Sequence, residues 1–341
     1  MKKNNIMLLI GAFCFQLAAF AQVPSKEQLF KTEVYWNQLY IEKEKSAPKE
    51  VQDKLNAYRQ TAKQQKWTFD VGYTTVLDKD IKSITGFVMP EDLKKNPEKI
   101  LPPKENQSMP AQPTTTAFSC SPTQRHFDLR DFGFVTMAKN QGSCGSCWAF
   151  STVAVFESSY LKINGGDPAT LDLSEQQVLD CSGWLSGCGG GIHLVSMQYL
   201  CTNSLQTETS YNYLAMGATC RTGLPATPYR ARRWVTISNV LGSSTNEQIK
   251  QAICEQGSVS ATMFATPLFI AYSSGVFNEF NHFAFPNHVI QIIGWDDDLN
   301  AWLIKNSWGE RWGTAGFGWV AYGHNAIGGY ASYVEANLSP R

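Results

Sequence analysis

The sequence has no surplus of either charge: 29 Lys+Arg stand against 29 Asp+Glu in 341 residues. A chain that neutralises nucleic-acid phosphates needs a basic excess, so no nucleic-acid partner is expected. Charged residues are scarce, at 17% against 43% hydrophobic, which excludes a disordered chain. After residue 20 no apolar run is long enough to span a bilayer, so no membrane partner is expected. Histidines number only five, and no second C-x-x-C accompanies Cys144 and Cys147. A four-thiolate zinc site is therefore not expected, nor any other metal or cofactor. Asp296, Asp297 and Asp298 lack the alternating spacing of a calcium loop and read as a solvated turn.

What is plentiful is cysteine, at nine residues, which fits an oxidising compartment. The N-terminus agrees. Lys2 and Lys3 precede an apolar run from Ile6 to Phe20 and a small-x-small site at Ala19–Ala21. Residues 1–21 read as a signal peptide, and the mature chain as secreted or periplasmic, with a lysosomal location also compatible.

The chain changes character near residue 122. Residues 22–122 carry 15 Lys/Arg and 13 Asp/Glu, while 123–341 carry 12 and 16 over twice the length. Seven of fifteen prolines fall between Pro90 and Pro122, a linker composition. Ahead of it, Ser25 and Gln28 suggest a capping box, two helical runs follow, and Trp67, Phe69, Val71 and Tyr73 alternate with polar or small residues as in a strand. A small helix–helix–strand unit on a cleavable linker suits a removable pro-segment, with a permanent accessory domain as the alternative. Its weakly basic charge facing a weakly acidic partner suggests release in acid.

The segment Gln141-Gly142-Ser143-Cys144-Gly145-Ser146-Cys147-Trp148-Ala149-Phe150 allows a redox pair, half a metal site or an activated thiol. The apolar helical run after Cys147, stopped by Asn164-Gly165-Gly166, favours the third. A thiol at a helix N-terminus feels a positive potential that favours thiolate, and free N–H groups there can bind an oxyanion. The base is sought at His288, opening an apolar strand. A hairpin centred on Asp297 sets His288 opposite Asn306, within reach for Asn306 to orient the imidazole. The other four histidines have no such partner.

Gln141 to Phe150 resembles the nucleophile segment of papain-like cysteine proteases, with His288 and Asn306 at family-like offsets of 141 and 159 residues from Cys147. Leu173-Ser174-Glu175-Gln176-Gln177, Gly187-Cys188-Gly189-Gly190 and Asn306-Ser307-Trp308-Gly309 also match family motifs. The resemblance covers 123–341, so the domains are a signal peptide 1–21, a pro-segment and linker 22–122, and a catalytic domain 123–341. It implies an α+β, papain-like two-domain fold: a helical left domain and a β-barrel-like right domain, with the active-site cleft between them.

It further implies Cys147 as nucleophile, His288 as its proton partner, Asn306 as orienter, and Gln141 with the Cys147 N–H as oxyanion hole. Trp308 and Trp312 would shield the His–Asn bond. Gly190 and Gly191 would pair with substrate backbone, and Ile192, Thr262, Pro286 and Tyr333 would line an apolar P2 pocket. The implied bridges are Cys144–Cys188 and Cys181–Cys220. Gly328 replaces the second cysteine of the third family bridge, so Cys120–Cys254 is expected instead. The pro-segment lacks the family's interspersed helix motif and its G-x-N-x-F-x-D companion. The implied activity is a monomeric, zymogen-type endopeptidase acting on protein or peptide substrates, with its own pro-segment as intramolecular inhibitor. A silent binding protein of this fold, or a peptide ligase using the same thioester, are the alternatives.

Overall fold

The computed structural model describes residues 26–110, 118–183, 187–237, 242, 244–281 and 285–339. The expected signal peptide, Ser25 and His282 lie outside them. The N-terminal segment, expected to be a pro-segment, opens with α1 (Lys26–Lys45), α2 (Lys49–Gln65) and β1 (Thr68–Val71). Lys66, in the left-handed region at φ 55°, ends α2. In β1, Phe69 and Val71 point inward while Thr68 and Asp70 face out, as their alternation predicts.

Past β1 come three single-turn helices: α3 (Ile81–Ile84), α4 (Glu91–Lys95) and α5 (Lys104–Ser108). Residues 90–110 are therefore not the loose linker that their prolines suggest. Pro90 and Pro103 stand immediately before α4 and α5, where a proline needs no helix hydrogen bond and its fixed φ starts the turn. Leu93 and Ile100 are buried, and the Asn106 side chain donates to the Trp234 carbonyl at 3.2 Å. Residues 111–117 lie outside the described set.

The helical half is built on α6 (Cys147–Asn164), with α7 (Glu175–Cys181) and α8 (His193–Thr202) packed on it. Nearly every α6 side chain is buried, because the helix faces α7 and α8 on one side and the sheet on the other. Gly165 ends it, and the Ser174 hydroxyl caps α7 by accepting from Gln177 N at 3.0 Å.

The sheet half contains β2 (His126–Asp128), β3 (Ala231–Thr236), α9 (Asn246–Gln256), β4 (Val259–Met263), α10 (Pro267–Ala271), β5 (Tyr272–Phe277), β6 (His288–Asp296), β7 (Ala301–Lys305), β8 (Phe317–Ala321) and β9 (Gly329–Ala336). Strand order is β1-β5-β8-β7-β6-β4-β9-β3, with β2 added to β6. Only β5 and β8 run parallel. The path ends at β1 and β3 without closing, so the expected barrel-like half is an open sheet. Its edge beyond β5 is covered by β1 of the pro-segment.

The hairpin register also differs from the sequence reading. Gln291 faces Lys305 and Ile292 faces Ile304, and a bulge then shifts Gly294 onto Leu303. Asn306 thus falls past the end of β7, nearer the level of Ile290 than of His288. The two side chains still meet, diagonally across the pair.

Three disulfides join Cys120 to Cys254, Cys144 to Cys188 and Cys181 to Cys220. Cys147 and Cys201 are free.

Candidate active site

Cys147 is the first residue of α6, fully buried, and His288 is the first residue of β6. Backbone groups of Val289, Gly86 and Trp148 lie within hydrogen-bonding reach of the sulfur. The His288 Nε2–H donates to Asn306 Oδ1 at 2.8 Å. That oxygen also accepts from Ser307 N at 2.8 Å, which fixes which end of the amide faces the imidazole. Trp308 stacks on the ring at 4.6 Å and is fully buried, with Trp312 edge-on behind it. His288 Nδ1 is buried and holds no hydrogen bond.

The extended stretch that follows α3 explains this burial. The Ile84 carbonyl accepts from Gln141 Nε2 at 3.2 Å and from Trp308 Nε1 at 3.0 Å. Gly86 packs flat on Gly145, where a side chain would overlap the Gly145 carbonyl. Gly191 N donates to the Gly86 carbonyl and Val88 N donates to the Gly191 carbonyl, a parallel bridge centred on Phe87. Phe87 N donates to the Asn287 carbonyl at 2.9 Å. The Phe87 ring lies between Tyr330 and His193, at 5.0 and 6.1 Å.

The helix N-terminus was expected to favour thiolate. Under the pro-segment the opposite holds: burial pushes the Cys147 thiol up to about 12, and the backbone hydrogen bonds only partly offset this. Burial likewise pushes His288 down to about 4 against the helping bond to Asn306. Both groups are neutral in the covered state. Gln141 is engaged on both ends, since its Oε1 accepts from Ser307 Oγ at 2.6 Å and its Nε2 also donates to the Cys144 carbonyl at 2.6 Å.

The papain family cysteine protease profile matches residues 123–338. The chain belongs to the papain family of cysteine proteases. A cathepsin L-like proteinase of Fasciola hepatica is 32% identical over 221 residues, covering 63% of this chain and 65% of its own. Cathepsin S of Bos taurus is 32% identical over 252 residues, covering 70% and 74%. This chain thus spans just under two-thirds of the Fasciola protein. A digestive procathepsin L2 proteinase from the larval midgut of Tenebrio molitor superposes with a TM-score of 0.67 at 28% identity, over 89% of this chain and 93% of that one.

In this papain-family chain the cleft residues fall into two groups. Gly190, Gly191 and Ile192 lie beside the pro-segment strand: Gly191 pairs with Phe87, and a side chain on Gly190 (φ +113°) would meet Val88. Thr262 is buried opposite Gly329, and Pro286 is half-buried. Tyr333 does not join them. Successive β9 residues face opposite ways, so Tyr330 and Val334 meet the helical core while Ala331 and Tyr333 meet the sheet core. Tyr330 is the tyrosine against Phe87, and the reading by spacing missed it, together with His193.

The companion pattern is lacking as expected, but its spacing is kept. Gly72, Thr74, Val76 and Asp78 keep the spacing of the companion pattern, with Thr and Val replacing its Asn and Phe. Thr74 and Val76 are buried, and the Thr74 hydroxyl donates to the Ile270 carbonyl at 2.7 Å. Gly72 packs against the Tyr40 ring, closer than a side chain would allow, and its N–H donates to the Ala271 carbonyl. A final group, His126, Asp296 and Asp298, gathers on the surface at the β6–β7 turn, within 4.8 Å of one another. No helix among the described residues is long and apolar enough to cross a membrane.

Proposed function

We propose that the chain is an exported zymogen of a cysteine endopeptidase, held inactive by its own N-terminal segment. The observation that carries this reading is the run of Ile84 to Val88 over Cys147. Suppose the acyl side of a substrate lies along Gly191 with one side chain in the Phe87 pocket. It then runs N-to-C toward Cys147. The pro-segment occupies the same ground but runs N-to-C away from Cys147. It fills the pocket and the Gln141 donor while presenting its backbone in reverse, which suits an inhibitor that is not cut.

Once this strand leaves, water and the helix end favour charge again, and Cys147 passes its proton to His288. The thiolate attacks the substrate carbonyl carbon. The oxyanion is held by Gln141 Nε2 and the Cys147 N–H. His288 gives its proton to the departing amine, the C–N bond breaks and a thioester remains. Water then attacks the thioester, losing a proton to His288, and the acid leaves as the thiol reforms. Asn306 keeps the Nε2–H tautomer through both halves. A pocket walled by Ile192, His193 and Tyr330, which accepts Phe87, supports an apolar P2 residue. Three disulfides support export to an oxidising compartment.

The test is labelling by an epoxysuccinyl probe at mildly acidic pH, on the processed chain and on Cys147→Ala. The expected result is one adduct, on Cys147, with hydrolysis of dipeptide substrates bearing an apolar P2. Processed chain that neither labels nor cleaves would point to a silent binding protein.

A further inference from the structure

Behind Asn306, on the side away from His288, lies a cavity of about 20 Å³ between α6, α7 and the β6–β7 pair. It is lined among others by Glu175, Gln291, Lys305 and Asn306. Three of these residues each carry one buried polar atom with no partner: Glu175 Oε2, Gln291 Oε1 and Asn306 Nδ2. Which end of each group is free is settled by its other bonds. Gln291 Nε2 donates to the Ala154 carbonyl, which can only accept, so its free end is the oxygen. Asn306 Oδ1 takes the Ser307 N–H, so its free end is the NH2. Glu175 Oε1 is paired with Lys139 at 2.8 Å, leaving Oε2.

With Glu175 ionised beside Lys139, the residues lining this space offer two free acceptors and one free donor, and the space is large enough for one water, for which about 10–15 Å³ suffices. A water can donate twice and accept twice, so one molecule answers all three atoms. Leaving them bare would cost the desolvation of each atom with no hydrogen bond in return.

We propose that this cavity binds a single ordered water bridging Glu175, Gln291 and Asn306, and that Glu175, acting through it, is a positioning residue for the catalytic histidine. The role toward catalysis rests on the proposed protease reading; the water and the amide do not. With its NH2 tied to the water, the Asn306 amide presents oxygen to His288 Nε2, which must then carry the proton. Nδ1 is left as a lone pair for the Cys147 proton. If the amide turned over, its NH2 would face Nε2, the ring proton would move to Nδ1, and the base would be lost. The water thus holds, from the far side of the amide, the orientation that the Ser307 N–H sets on the near side.

The test uses the full-length chain. A high-resolution crystal structure should place a water within hydrogen-bonding distance of all three atoms. The imidazole ¹⁵N signals of His288 should report Nε2–H in the wild type. Ala154→Val, which pushes methyl groups into the cavity without removing a polar partner, should shift His288 toward Nδ1–H. Glu175→Leu should do the same. After processing, both variants should lose at least tenfold in kcat with KM within about twofold. A dry cavity, or wild-type tautomer and kcat in a folded Ala154→Val, overturns the proposal. The tautomer is read in the uncleaved chain, so the result stands even if the processed wild type has no peptidase activity.

Discussion

Gly86 of the pro-segment and Gly145 of the nucleophile loop lie face to face with no room for a side chain between them. The contact is backbone on backbone, so neither partner can rotate out of the way. Gly86→Ala should therefore lift the strand off Cys147. Overpacking of this kind costs about 1–3 kcal/mol, or roughly 5- to 150-fold in the covered fraction. Alkylation of Cys147 in the uncleaved chain, read by mass mapping, should accelerate by that factor. An unchanged labelling rate would mean the strand does not seal the thiol.

Beside the opposed net charges, the seal over Cys147 has a second group through which acid can act. The ion pairs Arg59–Glu44 and Lys250–Asp297 lie within the N-terminal segment and within the papain-family domain respectively. What acid acts on is buried imidazole. His193 is pushed down to about 4 by burial beside Phe87, against 6.5 in water. Above pH 6.5 both states hold it neutral and it contributes nothing. As pH falls from 6.5 toward 4, an uncovered site that admits water to His193 gains a proton that the covered one refuses, and the covered form loses stability. His288 adds little, because in the open site its proton comes from Cys147. Glu33, raised by burial and by Asp70, works in the opposite sense. Labelling of Cys147 in the uncleaved chain should therefore accelerate steeply between pH 6.5 and 4, and His193→Asn should flatten that slope.

The two β9 tyrosines should separate cleanly. Tyr330→Ala opens the pocket around Phe87, so the processed enzyme should change its P2 preference toward larger side chains with little change in thermal midpoint. Tyr333→Ala removes a ring from the sheet core and should lower the midpoint while leaving P2 preference alone. A P2 profile that follows Tyr333 instead would return the pocket to the other face of the strand.

Cys120–Cys254 closes 134 residues of sequence. Losing such a bridge typically costs about 2–5 kcal/mol. Cys254→Ser should show that drop in denaturant unfolding, and non-reducing peptide maps of the wild type should leave Cys147 and Cys201 as the free thiols. A map joining Cys201 to either partner would contradict the pairing.

Much of this site is readable from local pattern. The α6 boundaries follow from Cys147, the apolar run and Gly165, because a capped, periodic helix is specified by neighbours in sequence. Register was not readable. The β6–β7 turn centres between Asp298 and Leu299 rather than on Asp297, and the bulge after Ile292 recovers one position, so Asn306 ends level with Ile290; a four-residue turn and a bulge leave no mark in the apolar pattern of the strands. The prolines of 90–110 mark the starts of turns as readily as a loose tether, and only the buried Leu93 and Ile100 decide between them. The burial of Cys147 and His288 was invisible for another reason. It depends on Gly86 and Phe87, some sixty residues upstream, whose role appears only when the chain folds back across the cleft.

The Cys120–Cys254 bridge also governs the topology of release. A cut before Cys120 frees every residue upstream as a separate peptide, which can diffuse away from the cleft. A cut after Cys120 severs the backbone but leaves the N-terminal segment tied through sulfur to α9, at high effective concentration over the cleft it covers. In an oxidising compartment the position of that one cysteine makes the site of cleavage, and not merely its occurrence, the condition for a free active site.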